Sequence, residues 1–310
     1  MRTGIAALSA LAAMTAVAWP LEAQSSAPFV VAETGQGFGS LQEAVAAIGR
    51  GSCTIRIAPG RYDECAVQEA GRVAYVAGER GTAVFEGGAC EDKATLVLRG
   101  RSARIEGLVF TGIRVPDSNG AGIRLEDGDL AVSYCVFADG ENGILTANGR
   151  SGAISIDRST FTGLGEGDGT HSLYVGHYGS LRVTNSRFER GVGGHYLKSR
   201  APRIEVLDNS FDDSRGRRTN YLIDLSNGAS GRIAGNVFVH GTGKENYGTM
   251  ISVAPEGAEN RSAGLVIEDN DASVAPGFRW STSFVGDWSG EPLAIRNNRV
   301  GPRIGLFARR

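Results

Sequence analysis

Along most of its length the chain alternates. Apolar residues take every second position for a few residues, and Gly, Asn, Asp or Ser then breaks the run. A period of two predicts short β-strands with one buried face. The pattern is plainest between His171 and Phe238, which reads HSLYVGHYGSLRVTNSRF, HYLKSRAPRIEVLDNSF and YLIDLSNGASGRIAGNVF in three passes. Each pass has a polar or aromatic opener, a short strand, a turn bearing Gly or Pro, a second strand, and a polar residue two places before Phe. One stretch keeps a helical period instead. Ser40-Leu41-Gln42-Glu43 forms a capping box, Leu41, Ala44, Val45 and Ile48 fall on one face, and Gly49 ends the run. Around it, Phe29–Ala32 and Cys53–Ile57 read as strands, the latter turned at Pro59-Gly60-Arg61-Tyr62.

The passes belong to a longer series. Phe110, Phe137, Phe161, Phe188, Phe211 and Phe238 recur at intervals mostly in the twenties, continued by Ala272 and Val300. Two places earlier stand Leu108, Cys135, Ser159, Ser186, Asn209, Asn236, Asn270 and Asn298. So short a unit cannot bury its own apolar face, so the units must stack as a solenoid. Asparagines at one bend of successive turns can satisfy the backbone of their neighbours. The predicted fold is all-β, one domain over residues 24–310, with the Ser40–Ile48 helix capping the N-terminal end.

Composition adds three constraints. Met1-Arg2-Thr3, the apolar run Gly4–Trp19 and the Leu21-Glu22-Ala23 site read as a signal peptide over residues 1–23, so export is expected, to the periplasm or beyond. No later segment is apolar enough to span a membrane. In an oxidising compartment the cysteines can pair. Cys65 and Cys90 stand one repeat apart and are the favoured staple, with Cys53–Cys90 as the alternative, and Cys135 reads as a buried hydrophobe. A formal net charge of −2 gives no reason to expect nucleic-acid binding. The cysteines lack metal-ligand spacing, and calcium is the one cofactor kept open.

Helix, Ile57–Tyr62 turn and repeat together resemble the right-handed parallel β-helix proteins of the pectin lyase-like superfamily. The resemblance implies a single-stranded right-handed β-helix over nearly all of the mature chain. It does not imply one activity, because lyases, hydrolases, esterases and non-enzymatic adhesins share the fold. The hydrolase motif Gly-His-Gly is poorly matched by His177-Tyr178-Gly179, and the downstream Gln and two Asp of the esterases are not found.

Stacking predicts which residues share a face. With Leu173/Val175, Leu197/Ser199 and Ile223/Leu225 inward, the outward column reads Arg124, Thr146, Tyr174, Lys198, Asp224. Arg200 stands beside it, with Glu126 in the matching place further up, and His171, His195 and Tyr221 form a second column. Such a face suits an acidic polysaccharide or oligosaccharide. Elimination from a uronate needs a base, a cation on the carboxylate and a proton donor for the leaving oxygen. Lys198 is the expected base, activated by neighbouring cations such as Arg200. Arg200 is the expected carboxylate clamp, and Tyr174, His195 or Tyr221 the donor. His171, His177, Asp224, Arg124, Arg217 and Arg218 are expected to bind substrate. Lys198-Ser199 followed by Asn209 locally resembles the alginate lyase and chondroitinase B group, which places a catalytic lysine in such a strand. The arginine that this group carries one turn later is replaced here by Asp224 in Ile223-Asp224-Leu225. A monomeric lyase is the expected function. The alternative is a non-catalytic carbohydrate-binding or structural module, in which Lys198 and Asp224 form only a surface ion pair. Trp280 and Trp288 are sugar platforms or, preferably, C-terminal capping residues.

Overall fold

The alternating stretches become strands two to six residues long, and each turn of chain contributes one to each of three sheets. A typical turn runs through Leu173–Val175, Ser180–Thr184 and Arg187–Glu189, then returns to the first sheet at Leu197–Ser199. The structure is a computed structural model describing residues 27–149, 151–166 and 169–310; the expected signal peptide, residues 1–23, lies outside the described residues. Among the described residues, the sheet holding Leu173–Val175, here the groove sheet, has 10 strands, as does the sheet holding Arg187–Glu189. The sheet holding Ser180–Thr184 has 12, two of them the entry strands Phe29–Val31 and Gln36–Phe38, which pair antiparallel. Every other pairing between the described strands of the sheets is parallel, as a solenoid requires.

The phenylalanine series fills one corner of the core. Phe110, Phe137, Phe161, Phe188, Phe211 and Phe238 are in direct register, and Ala272 and Val300 continue the column. Phe85 extends it upstream. From Phe110 to Phe238 the rings stack with centroids 4.7 to 5.1 Å apart, close to the ~4.8 Å spacing of strands.

The polar column two places earlier is a ladder of hydrogen bonds. The amide N–H of Ser186 donates to Asn209 Oδ1, that of Asn209 to Asn236, that of Asn236 to Asn270 and that of Asn270 to Asn298, at 2.8 to 3.1 Å. Ser159 and Ser186 continue it upward through their hydroxyls. The residue before each rung turns the corner with positive φ, as at Asp208 and Asp269. Gly235 does so where a Cβ would lie 2.2 Å from Asp208 Oδ1, so a side chain there would have to push the Asp208 carboxylate aside.

Helix Leu41–Ile48 carries its capping box and buries Leu41, Ala44, Val45 and Ile48 in the core at the first turns. Cys65 and Cys90 are bonded, whereas Cys53 is free. Cys135 is buried, and burial pushes its thiol up to about 12. Loops 213–222 and 241–248, which lead into the groove sheet, are tied by a buried cluster that sequence reasoning missed. Asp213 accepts from Lys244 Nζ at 2.8 Å, Tyr196 at 2.8 Å and Thr219 at 2.9 Å.

Candidate functional site

The register of the groove sheet places Tyr174, Lys198 and Asp224 side by side on its outward face. Upstream the column runs through Leu145 and then Arg124, so Leu145 takes the place expected for Thr146. Thr146 is shifted by one position into the inward register, where its hydroxyl accepts from the Gly176 amide at 2.8 Å. Arg124 is thereby separated from Tyr174 by an aliphatic rung, and its nearest acid is Glu126 at 3.7 Å. Glu126 itself pairs with Arg99 and Lys93.

Asp224 and Lys198 are not a surface pair. Asp224 is 1% exposed and Lys198 8%. Asp224 accepts from Ser226 and Ser252 at 2.8 Å each, and Lys198 Nζ lies 3.2 Å from its Oδ2. Lys198 also donates to Glu256, and so does Arg200 Nη2. The expectation that Arg200 acts on Lys198 as a bare neighbouring cation is therefore corrected, because Glu256 stands between the two charges. A nitrogen that donates to Glu256 and is ion-paired with Asp224 does not offer the lone pair that a base needs. Partial burial opposes ionisation of Glu256, yet donation from Lys198 and Arg200 outweighs it and holds the carboxyl at about 2. Arg200 also donates through Nε to the Tyr174 hydroxyl at 3.0 Å and through Nη1 to Asn227 Oδ1 at 2.5 Å. The Tyr174 hydroxyl accepts there, so its own proton points elsewhere.

The second column forms one edge of the site. His171 and His195 stack with centroids 5.0 Å apart, and His195 and Tyr221 at 5.2 Å. Each imidazole Nδ1 accepts the next backbone N–H, His195 to His171 and Tyr221 to His195, both at 3.1 Å. Asn142 begins the same ladder by accepting from the His171 amide at 2.8 Å. An accepting Nδ1 puts the proton of each neutral ring on Nε2. Burial, with Lys198 adding to it, brings His195 down to about 3, and burial also drives His171 well below its ordinary value. His195 is thus a neutral ring whose Nε2 lies 3.6 Å from Asp224 Oδ2. Burial raises Tyr221. Trp288 prolongs the edge, 6.4 Å from Tyr221, and Trp280, 43% exposed, stacks on Tyr247 at 3.9 Å.

The opposite edge is the turn that follows each strand of the groove sheet. There His177, Arg200, Asn148, Tyr178, Pro202, Glu259 and Asn260 surround a depression of about 510 Å³. Arg218 shares a smaller pocket of about 190 Å³ with His171 and His195, while Arg217 and Arg218 together line a neighbouring depression with Arg114 and Glu166. The structure therefore gathers Tyr174, Lys198, Arg200 and Asp224 with His195 into one groove and keeps His177 and Arg218 at its two margins.

Sequence reasoning missed Glu256, Asn227, Ser252 and Asn260. The available signal was the interval from Phe238 to Ala272, the longest in the phenylalanine series, whose extra residues form the loop carrying Glu256 and Asn260. Among the described residues no three His, Cys, Asp or Glu side chains come together to hold a metal ion, and no ligand set is assigned to calcium.

Three comparisons bear on the chain. A family model described as a right handed beta helix region matches residues 94–300. No curated protein matches it. Among solved structures, the chain is similar to a mutant pectin methylesterase in complex with hexasaccharide IV, at 13% identity and a TM-score of 0.41, over 89% of this chain and 78% of that one.

Proposed function

Since the chain belongs to the right-handed β-helix family, we propose that its groove sheet binds an acidic polysaccharide and cleaves it by β-elimination. The observation that carries this reading is the convergence of Lys198 and Arg200 on a single carboxylate, that of Glu256. The free protein thereby displays a place between two cations that fits a carboxylate at the groove surface. A uronate presents the same group. Arg200 on that group withdraws charge and stabilises the carbanion formed when the neighbouring C–H loses its proton. Lys198 is the base nearest this place: once Glu256 has moved away, the uronate carboxylate rests on Arg200, and Lys198, having released its own proton to solvent, takes the C–H proton as the neutral amine. Tyr174, whose oxygen is held by Arg200, keeps its proton for the leaving oxygen. The resemblance of Lys198-Ser199 to the alginate lyase group supports the same assignment.

Purified protein mixed with a panel of uronate polymers, with and without calcium, tests the reading. Ultraviolet absorbance of unsaturated ends is expected to rise on one polymer and to vanish in Lys198→Ala with the fold intact. Wild-type turnover in that variant removes Lys198 from the chemistry. A second reading, a module that binds without turnover, is favoured by the grip of the buried Asp224 on Lys198. A flat trace, from a protein that still retards one polymer on an affinity gel, selects it.

The protein is further proposed to act as an exported monomer, with residues 1–23 removed. The Cys65–Cys90 disulfide supports an oxidising compartment. The partner is a glycan rather than a nucleic acid.

A further inference from the structure

We infer that Glu256 is a built-in occupant of the carboxylate subsite, and that an acidic sugar binds by displacing it from Lys198 and Arg200. The inference rests on the acidic-glycan reading for the identity of the competitor.

The backbone of the Glu256 loop is fixed. Its amides at Ala254, Glu256 and Asn260 donate to Leu225, Ser226 and Asn227 carbonyls at 2.8 to 2.9 Å. Asn260 Nδ2 also donates to the Arg200 and Gly228 carbonyls, at 3.1 and 3.0 Å. Against this anchored frame the Glu256 side chain is 41% exposed, whereas its two partners are 9% and 19% exposed. The cations belong to the floor of the groove and the carboxylate lies over them. Side-chain rotation alone uncovers them, with no loop opening.

Charge decides what can take its place. Lys198, Arg200, Asp224 and Glu256 sum to zero. Removing Glu256 without replacement leaves a surplus cation in a half-buried site, which is unfavourable. A ligand carboxylate restores the balance and a neutral sugar does not. The contact thus selects for charged sugars while lowering their affinity, because the open arrangement must be populated first. The depression beside Arg200, lined by His177 and Asn260, gives room for the rest of such a ligand.

The probe is free D-glucuronate, with D-glucose as the neutral control, titrated calorimetrically into wild type, Glu256→Gln and Glu256→Ala. Both variants are expected to bind glucuronate at least tenfold tighter than wild type and glucose no better. Adding Arg200→Ala is expected to abolish the gain. In wild type, the ¹³C shift of the Glu256 carboxyl is expected to move on saturation with glucuronate and not with glucose, a readout that needs no variant to fold. Equal or weaker glucuronate binding in folded variants, or an unmoved Glu256 signal on saturation, overturns the inference and leaves Glu256 as a residue that positions Lys198 and Arg200. If wild type retards a uronate polymer while the variants gain nothing, displacement fails and the acidic-glycan reading stands. If the variants gain on glucuronate but no uronate polymer is bound or cleaved, the polymer reading fails and the subsite stands.

Discussion

The two groove histidines each keep their proton on Nε2, because the Nδ1 of each accepts a backbone amide from the next turn. Such a ring serves the fold by satisfying an amide and serves the groove by offering a fixed N–H. Neither service survives protonation of Nδ1. Burial, with cations nearby, brings His195 and His240 to about 3. In the unfolded chain both return to an ordinary value of about 6.5. Between those limits the unfolded chain takes up protons that the folded chain refuses, so acid favours unfolding. The effect is absent above the ordinary value and grows by about 1.4 kcal/mol per pH unit per histidine as pH falls toward the folded value. Urea unfolding measured from neutral pH down to pH 4 or so is expected to show this loss. His195→Asn is expected to make it shallower, since Asn142 already fills the same acceptor role two turns earlier. A slope unchanged by that substitution would mean that His195 titrates normally. For Glu256, held at about 2, the sign is the reverse in origin and the same in direction. Its ion pairs contribute stability above the ordinary carboxylate range and are lost as pH falls through the folded value.

At the scale of the repeated elements, the asparagine ladder is the device most exposed to test. Asn236 accepts from the Asn209 amide and donates to the Val206 and Ala234 carbonyls and to Asn270 Oδ1, all at 2.9 to 3.0 Å, in a setting 1% exposed. Asn236→Ala strands several buried groups at once and is expected to cost about 3 kcal/mol in chemical denaturation. Asn236→Ser, which keeps an acceptor as Ser159 and Ser186 do, is expected to cost less; equal losses would assign the cost to packing alone. These elements were legible in the sequence because they repeat: the phenylalanines and asparagines recur in one register, and each recurrence confirms the last. The inward and outward assignment of Tyr174, Lys198 and Asp224 followed from that register. Thr146 failed because Ile144 and Leu145 are both apolar and the whole strand Asn142–Thr146 is buried, so no alternation in the sequence marks which residue faces outward. Glu256 failed because it sits in an insertion, where no period operates and a side chain reaches back two turns. Lys244 and Asp213 were invisible for the same reason: loops that obey no repeat brought them together.

For the whole molecule, stacking sets how damage spreads. Each turn touches chiefly its two neighbours, so stability is close to a sum over adjacent turns and the ends open before the middle. The groove, from Tyr174 to Glu256, lies in the middle and late turns, far along the axis from helix Leu41–Ile48 and from the Cys65–Cys90 bond, which spans 25 residues near the start. Closing a loop of that length contributes about 3 kcal/mol in the chain-entropy account. A chain with Cys65→Ser and Cys90→Ser is therefore expected to lose that stability locally. In hydrogen exchange, the amides of Ile55 and Tyr75 in the first turns should exchange faster, while those of Leu197 and Ile223 under the groove keep their protection. Binding of glucuronate should be unchanged, since no group that touches the groove depends on the bond. If Leu197 and Ile223 lose protection as much as Ile55 does, the turns unfold as one unit, neighbour-by-neighbour stability fails for this solenoid, and the disulfide supports the groove after all.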